Sequence, residues 1–224
     1  MLHAVIFDLD GTLLDTEPDF TEIVNGQLRL RGLAGIAAAE VRRHVSAGAA
    51  AIVQQGFGLT SDDPRLPALL DDFLGSYQMQ IERSAASPFA DVDLLLDTLV
   101  DQGIRWGVMT NKHSRFSAPL LARFETFASA GAVVCPDDVG AGKPDPRGIL
   151  RVCELLGVEA GHCVYVGDHP RDIDAARNAG MPGIAVRWGY LPAEPAIDEW
   201  GAEVVADSPR QLLDWCLQRR GPRA

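Results

Sequence analysis

The sequence predicts an α/β fold: a parallel β-sheet covered by helices on both faces, with a helical insertion after the first strand. Two observations carry that reading. Short β-rich apolar runs alternate with helix-length segments over most of the chain, which is the pattern of strands joined by crossover helices. One stretch, residues 16–85, breaks the rhythm, because it carries helical patterning and no convincing strand.

Residues 3–7, His-Ala-Val-Ile-Phe, read as a buried strand, and residues 105–110, 132–135, 162–166 and 183–186 repeat the same kind of run. Helical segments are expected between them at about 92–102, 114–124, 146–156 and 172–179. Gly103, Gly157 and Gly180 stand where helix C-caps belong. In the insertion, Thr16-Glu-Pro-Asp19 reads as a helix start, with a capping hydroxyl, proline in the first turn and an acid three residues on. Further helices are expected over 38–44, 49–55 and 66–83. The predicted division is a core of residues 1–15 and 86–224 and a helical cap of residues 16–85, with Ser84-Ala-Ala-Ser-Pro88 as the return hinge. In such sheets chemistry gathers at the carboxyl ends of the strands.

Composition narrows the partners. The 224 residues suffice for a full core, and 47% hydrophobic with 23% charged residues is ordinary for a folded soluble protein. No apolar stretch approaches the ~20 residues of a membrane span. A net charge of -11 argues against nucleic acid or an anionic membrane as partner. The basic tail, Arg219-Arg220-Gly-Pro-Arg223, is too short to reverse that and reads as a frayed end. The opening residues to Asp8 carry no basic leader, so a cytoplasmic location is expected. Cys135, Cys153, Cys163 and Cys216 are too sparse for a disulfide framework and form no Cys-x-x-Cys pair, so they read as reduced and buried. Of 20 basic residues only Lys112 and Lys143 are lysine. Genome composition accounts for such a bias, and so does a need for a compact point charge at two positions.

Asp8-Leu-Asp10-Gly-Thr12 follows the first strand directly. Alternation puts Asp8 and Asp10 on one side of an extended chain, and Gly11 permits a tight turn. Two carboxylates so placed need a cation or a shared proton, and a hard Mg²⁺ ion suits them. With a phosphate ester nearby, one could attack phosphorus while the other handles the leaving-group proton. Taken alone, the motif serves equally as a polar turn. It is not an EF-hand loop, whose sixth position requires glycine where this chain has Leu13.

Thr110-Asn111-Lys112 ends the second predicted strand, and its hydroxyl, amide and free N–H groups before Ser114 would make a neutral anion cradle or a plain loop. Gly140-Ala-Gly-Lys143-Pro is not a Walker loop, since Asp137 and Pro144 replace the required glycine and hydroxyl. Its stiff lysine is placed to offset phosphoryl and carboxylate charge, or else to face solvent. Gly167-Asp168-His-Pro-Arg-Asp172 follows another strand. Asp168 would supply a metal oxygen, while Asp172 would ligate through water, orient Lys143, or only charge its helix's first turn. Each of these groups stands at the carboxyl end of a predicted strand.

This ordered set resembles the haloacid dehalogenase superfamily of phosphohydrolases over nearly the whole chain. Asp8-x-Asp10-Gly-Thr12, Thr110-Asn111, Lys143-Pro144 and Gly167-Asp168-x-x-x-Asp172 are similar to its four signatures. The resemblance implies a Rossmann-like sheet with the first strand central and a helical cap. It implies Asp8 as the nucleophile that forms an aspartyl-phosphate and Asp10 as general acid and then base. Thr110 and Asn111 would hold phosphoryl oxygens, and Lys143 would steady nucleophile and phosphate. Mg²⁺ would bind the carboxylates of Asp8 and Asp168 and the backbone carbonyl of Asp10, with Asp172 and Thr12 in support.

Within the superfamily, Asp10 speaks for phosphoryl transfer over dehalogenation, and a cap without lysine excludes Schiff-base phosphonate cleavage. The chain also resembles bacterial phosphoglycolate phosphatases, the leading expectation for function, and their relatives that dephosphorylate N-acetylmuramic acid 6-phosphate. A sugar phosphomutase shares the same core residues. The substrate implied is a small phosphorylated metabolite, with Arg43, His44 and Gly48 of the cap as candidate contacts and an arginine there as partner for a glycolate or lactyl carboxylate. Ser87-Pro-Phe-Ala-Asp91 departs from the family's usual Pro-Tyr-Pro-Gly hinge, and His169 stands where serine is common.

Overall fold

The computed structural model describes residues 1–220. In chain order it contains β1 (Ala4–Phe7), β2 (Leu14–Asp15), α1 (Glu17–Leu30), α2 (Ala38–Val45), α3 (Ala49–Phe57), α4 (Leu66–Gln80) and β3 (Ser87–Pro88). There follow α5 (Val92–Asp101), β4 (Arg105–Met109), α6 (Ser114–Leu121), β5 (Val133–Val134), α7 (Pro136–Val139) and α8 (Arg147–Leu156). The chain closes with β6 (Cys163–Gly167), α9 (Pro170–Asn178), β7 (Gly183–Val186), β8 (Val204–Ala206) and α10 (Pro209–Arg219).

Six strands form one parallel sheet in the order β5-β4-β1-β6-β7-β8, with β1 inside and buried along its whole length. Alternation sorts its side chains to opposite faces. Val5 and Phe7 join Trp106 and Val108 of β4 and Val164 and Val166 of β6 in the cluster that holds the apolar stripes of α5 and α10. Ala4 and Ile6 join Met109 and Tyr165 against Ile149 and Val152 of α8 and Ala175 and Ala176 of α9. The sheet is therefore covered on both faces, as continuous apolar strands require.

The helices α1 to α4 pack on one another through Val24, Leu28, Val41, Ile52, Val53 and Phe73, all fully buried. The chain leaves and re-enters the sheet through β2 and β3, which pair antiparallel with Leu14 opposite Pro88. Asp19 near the start of α1 fastens the returning segment, accepting from Ala85 N at 2.6 Å and from the Ser84 hydroxyl. Among the described residues no helix is long and apolar enough to cross a membrane.

Several local expectations are corrected. Residues 132–135 supply only a two-residue strand, because Cys135 already caps α7. Helix α9 begins at Pro170 rather than 172, and Asp172 completes its capping box by accepting from His169 N at 3.0 Å. Thr16 does not cap α1 with its side chain. Arg219 and Arg220 are not frayed, since Arg219 ends α10 and Arg220 pairs with Leu2 alongside β1; the rest of that tail, from Gly221, lies outside the described residues. Strand β8 and helix α10 have no counterpart in the expectations.

Candidate active site

The register of the sheet brings the site together. Phe7 is level with Val108 on β4 and Val166 on β6. One residue further, Asp8 stands beside Met109 and Gly167, so Asp8, Thr110 and Asp168 rise from the same edge.

Lys143, on the loop between α7 and α8, is the hub. Its side chain is 1% exposed. Its Nζ lies 2.7 Å from Asp8 Oδ1 and 2.8 Å from Asp172 Oδ1, and donates to Tyr165 Oη at 2.9 Å. Tyr165 in turn donates to the Met109 carbonyl at 2.6 Å. The three N–H bonds of an ammonium are thereby all spent, an arrangement the planar guanidinium of arginine cannot reproduce. Burial opposes the charge of Lys143, but Asp172 and Asp8 outweigh it and raise the pKa. Asn111 clasps this loop, accepting from Lys143 N at 2.7 Å and donating to Lys143 O at 3.2 Å.

The carboxylates around the hub are crowded. Oxygens of Asp8, Asp168 and Asp172 lie within 4.8 Å of one another. Burial pushes Asp8 up to about 6 against the pull of Lys143. Burial, then Asp172 and Asp8, pushes Asp168 up to about 8. Asp168 Oδ2 accepts from Tyr190 N at 2.7 Å and from Ser46 Oγ of the loop after α2 at 2.9 Å. Asp168 Oδ1 is buried with no hydrogen-bond partner among the described residues. Three carboxylates facing one ammonium, with an orphaned oxygen among them, fit a hard divalent cation. Asp172 combines two of its expected roles, since one oxygen meets Lys143 while the other caps α9.

Gly11 shows how tightly the turn after β1 is packed. It has φ +84°, and a Cβ there would stand 2.1 Å from Asp168 Oδ2. Thr12 is buried next to it with its hydroxyl unpartnered, and its carbonyl accepts from Trp188 Nε1 at 3.0 Å.

Asp10 has a different setting. Its Oδ1 accepts from Thr16 Oγ1 and from Lys112 Nζ, each at 2.7 Å. The Lys112 side chain is itself only 6% exposed, and its Nζ lies 5.0 Å from the Phe20 ring centroid and 4.8 Å from that of Tyr77. Burial opposes its charge, but Asp10 and then Tyr77 outweigh it and raise the pKa. The cradle expected at Thr110 to Lys112 is therefore not neutral. Sequence reasoning passed over Lys112 as a site residue, although the scarcity of lysine singled it out.

Above these groups opens a cavity of about 310 Å³. Asp8, Asp10, Thr110, Asn111 and Lys112 form its floor, and Phe20, Val45, Phe73, Leu74 and Tyr77 form an apolar roof contributed by the inserted helices. Ser46 and Gly48 line it from the turn between α2 and α3 and Ala49 from the start of α3, and Arg115 and Arg171 line it from the sheet side.

Two expected contacts are corrected: Arg43 and His44 do not line the cavity. Arg43 is exposed, and His44 Nδ1 lies 2.7 Å from the carbonyl of Glu40. Helix α2 buries Val41 and Val45, and at about 100° per residue position 43 lies opposite that stripe while 42 and 44 flank it on either side. Arg42 instead faces the core, 3.1 Å from Asp15 Oδ2 and 4.8 Å from the Tyr190 ring centroid.

Comparison with known proteins gives this constellation a family. Residues 5–186 match the family described as haloacid dehalogenase-like hydrolase. The chain belongs to that family, and its enzyme class is that of a phosphoric monoester hydrolase. It is 41% identical to an N-acetylmuramic acid 6-phosphate phosphatase of Pseudomonas aeruginosa, covering 95% of this chain and 94% of the relative. It is 38% identical to a phosphoglycolate phosphatase of Xanthomonas campestris, covering 95% of each. The crystal structure of a predicted phosphoglycolate phosphatase from Haemophilus somnus superposes with a TM-score of 0.82 over 96% of this chain and 97% of that one. At 23% identity that likeness shows the shared fold.

Proposed function

We propose that the chain is a Mg²⁺-dependent phosphatase that transfers the phosphoryl group of a sugar-sized phosphomonoester to Asp8 and then to water. The observation that carries this reading is the buried cluster of Asp8, Asp168 and Asp172 around Lys143, with one carboxylate oxygen left unpartnered. Asp8 and Asp168, together with the Asp10 backbone, would hold Mg²⁺, and Asp172 supports them from behind through Lys143. The ion supplies charge neutralisation for a phosphoryl group that meets a carboxylate nucleophile.

In the first half of the reaction Asp8 attacks phosphorus, and the bond from phosphorus to the ester oxygen breaks. Asp10 gives the departing alkoxide its proton. In the second half Asp10 takes a proton from water, whose oxygen attacks the aspartyl-phosphate, and phosphate leaves with Asp8 restored. Thr110 and the backbone N–H groups beside it face the phosphoryl oxygens, while Lys143 steadies Asp8 through both halves. Closure of the apolar roof excludes bulk water from the intermediate.

The cavity supports an amino sugar phosphate over a two-carbon acid. About 310 Å³ with an aromatic and aliphatic roof offers far more apolar surface than phosphoglycolate covers. N-acetylmuramic acid 6-phosphate, the substrate named for relatives in two Pseudomonas species, carries acetyl and lactyl methyl groups to meet it. Purified protein should release phosphate from this ester with Mg²⁺, lose the activity in EDTA, and lose turnover on Asp8→Asn, because an amide neither attacks phosphorus nor binds the metal as well. Most of the activity surviving in that variant would refute the assignment. A higher kcat/KM on phosphoglycolate would restore the two-carbon acid as substrate.

A further inference from the structure

We infer that Arg171, with Arg115 lining the same cavity, selects phosphomonoesters that carry a second anionic group, a carboxylate, on the leaving alcohol. The inference rests on the phosphatase reading above and adds a specificity role at a position where the fourth signature, Gly167-Asp168-x-x-x-Asp172, specifies no residue.

Arg171 and Arg115 both line the cavity. Neither has a carboxylate within ion-pair distance among the described residues, whereas most other cavity charges are already matched: Asp8 meets Lys143, and Asp10 meets Lys112. Arg171 is half-buried in the first turn of α9, three residues after Asp168. His169 Nδ1 accepts from both the backbone N and the Nε of Arg171, each at 3.2 Å, which holds the guanidinium at its root. The two Nη groups remain for a ligand, and a planar fork of this kind matches a carboxylate. Arg115 is exposed at the rim, with its guanidinium 4.5 Å from the Phe116 ring centroid.

The charge balance leads to the same ligand. With Asp10 paired to Lys112 and Asp8 to Lys143, the cavity lining keeps Arg115 and Arg171 as cations without an acid partner among the described residues. The phosphoryl group is met by Thr110, Lys143 and the metal at the floor. Two arginines without acid partners at the wall are surplus to that need. Covering half-buried Arg171 with a neutral alcohol would leave desolvated charge unmatched. A carboxylate satisfies both the hydrogen-bond geometry and the charge. The expected cap arginine, Arg43, is thus replaced in this role by arginines of the sheet domain.

The test uses two matched pairs of esters: N-acetylmuramic acid 6-phosphate against N-acetylglucosamine 6-phosphate, and phosphoglycolate against ethyl phosphate. In each pair one member lacks the carboxylate. Wild-type protein should prefer the carboxylate member in kcat/KM. Arg171→Met should lose about 10- to 100-fold more on that member than on its partner, the scale of a lost charge-assisted hydrogen bond. Arg171→Lys should recover part of the difference, which separates charge from folding, and unchanged thermal melting of both variants secures the comparison. Equal losses within each pair, or none, would overturn the inference and leave the phosphatase reading standing. A wild-type protein that hydrolyses none of the four esters overturns both.

Discussion

Lys112 and Lys143 are the two lysines of the chain, and each is buried against an aspartate of the first motif. They divide the work. Lys143 spends its three N–H bonds on Asp8, Asp172 and Tyr165, which fixes Asp8, the proposed nucleophile. Lys112, set against two aromatic rings, holds the oxygen of Asp10 at the cavity floor. Asp10→Asn keeps the size and the hydrogen bond from Thr16 but removes the transferable proton. It should slow turnover by roughly 10²–10⁴-fold while binding of a phosphate analogue stays within a few-fold. A single-turnover rate near wild type would remove Asp10 from proton transfer.

At the scale of elements, the turn after β1 is where packing is least forgiving. Gly11 and Gly103 both have positive φ, +84° and +72°, yet a Cβ on Gly103 would meet open space while one on Gly11 would strike the Asp168 carboxylate. Gly103→Ala should therefore cost only the left-handed strain, roughly 1–3 kcal/mol. Gly11→Ala should cost more than that in denaturant unfolding and should also weaken Mg²⁺ binding by calorimetry. Equal costs would mean that the turn has room the structure does not show. The same scale explains the link between the inserted helices and the acidic cluster. Ser46 follows α2 and reaches Asp168 directly, and Arg42 ties that helix to Asp15 and to the Trp188 carbonyl. Neither contact is visible in the helical periodicity, which reports only the buried stripe of Val41 and Val45.

Across the whole molecule, the acidic cluster couples folding to protons and, on the proposed reading, to metal. Burial, more than any neighbour, holds Asp8 near 6 and Asp168 near 8, both above the ordinary carboxylate value of 3.8. A carboxyl whose folded pKa is raised contributes stability that is complete below its unfolded pKa and is lost as pH rises through the folded value. The metal-free protein should therefore lose stability between about pH 4 and pH 8. Mg²⁺ competes with protons for these oxygens, so the rise in Tm on adding it should be larger at about pH 8 than at about pH 5.5. Melting curves in EDTA and in Mg²⁺ at both values check this. A gain independent of pH would place the ion elsewhere.

The sequence by itself determined the α/β sheet and the family. Strand periodicity is a local property, and Asp8, Asp10, Lys143 and Asp168 are recognisable from their place at the ends of apolar runs. It also flagged the lysines by their rarity. Strand β8, with three residues at the sheet edge, lay below what periodicity resolves, whereas α10, whose buried Pro209, Leu212, Leu213 and Cys216 follow helical spacing after the Ser208 cap, was legible and was passed over. Only the tertiary structure decided which residues close the cavity. Whether Arg43, Arg171 or neither faces it depends on the rotation of α2 and α9 about their axes and on how the inserted helices seat over the sheet. Those are set by long-range packing, to which no short window of sequence gives access.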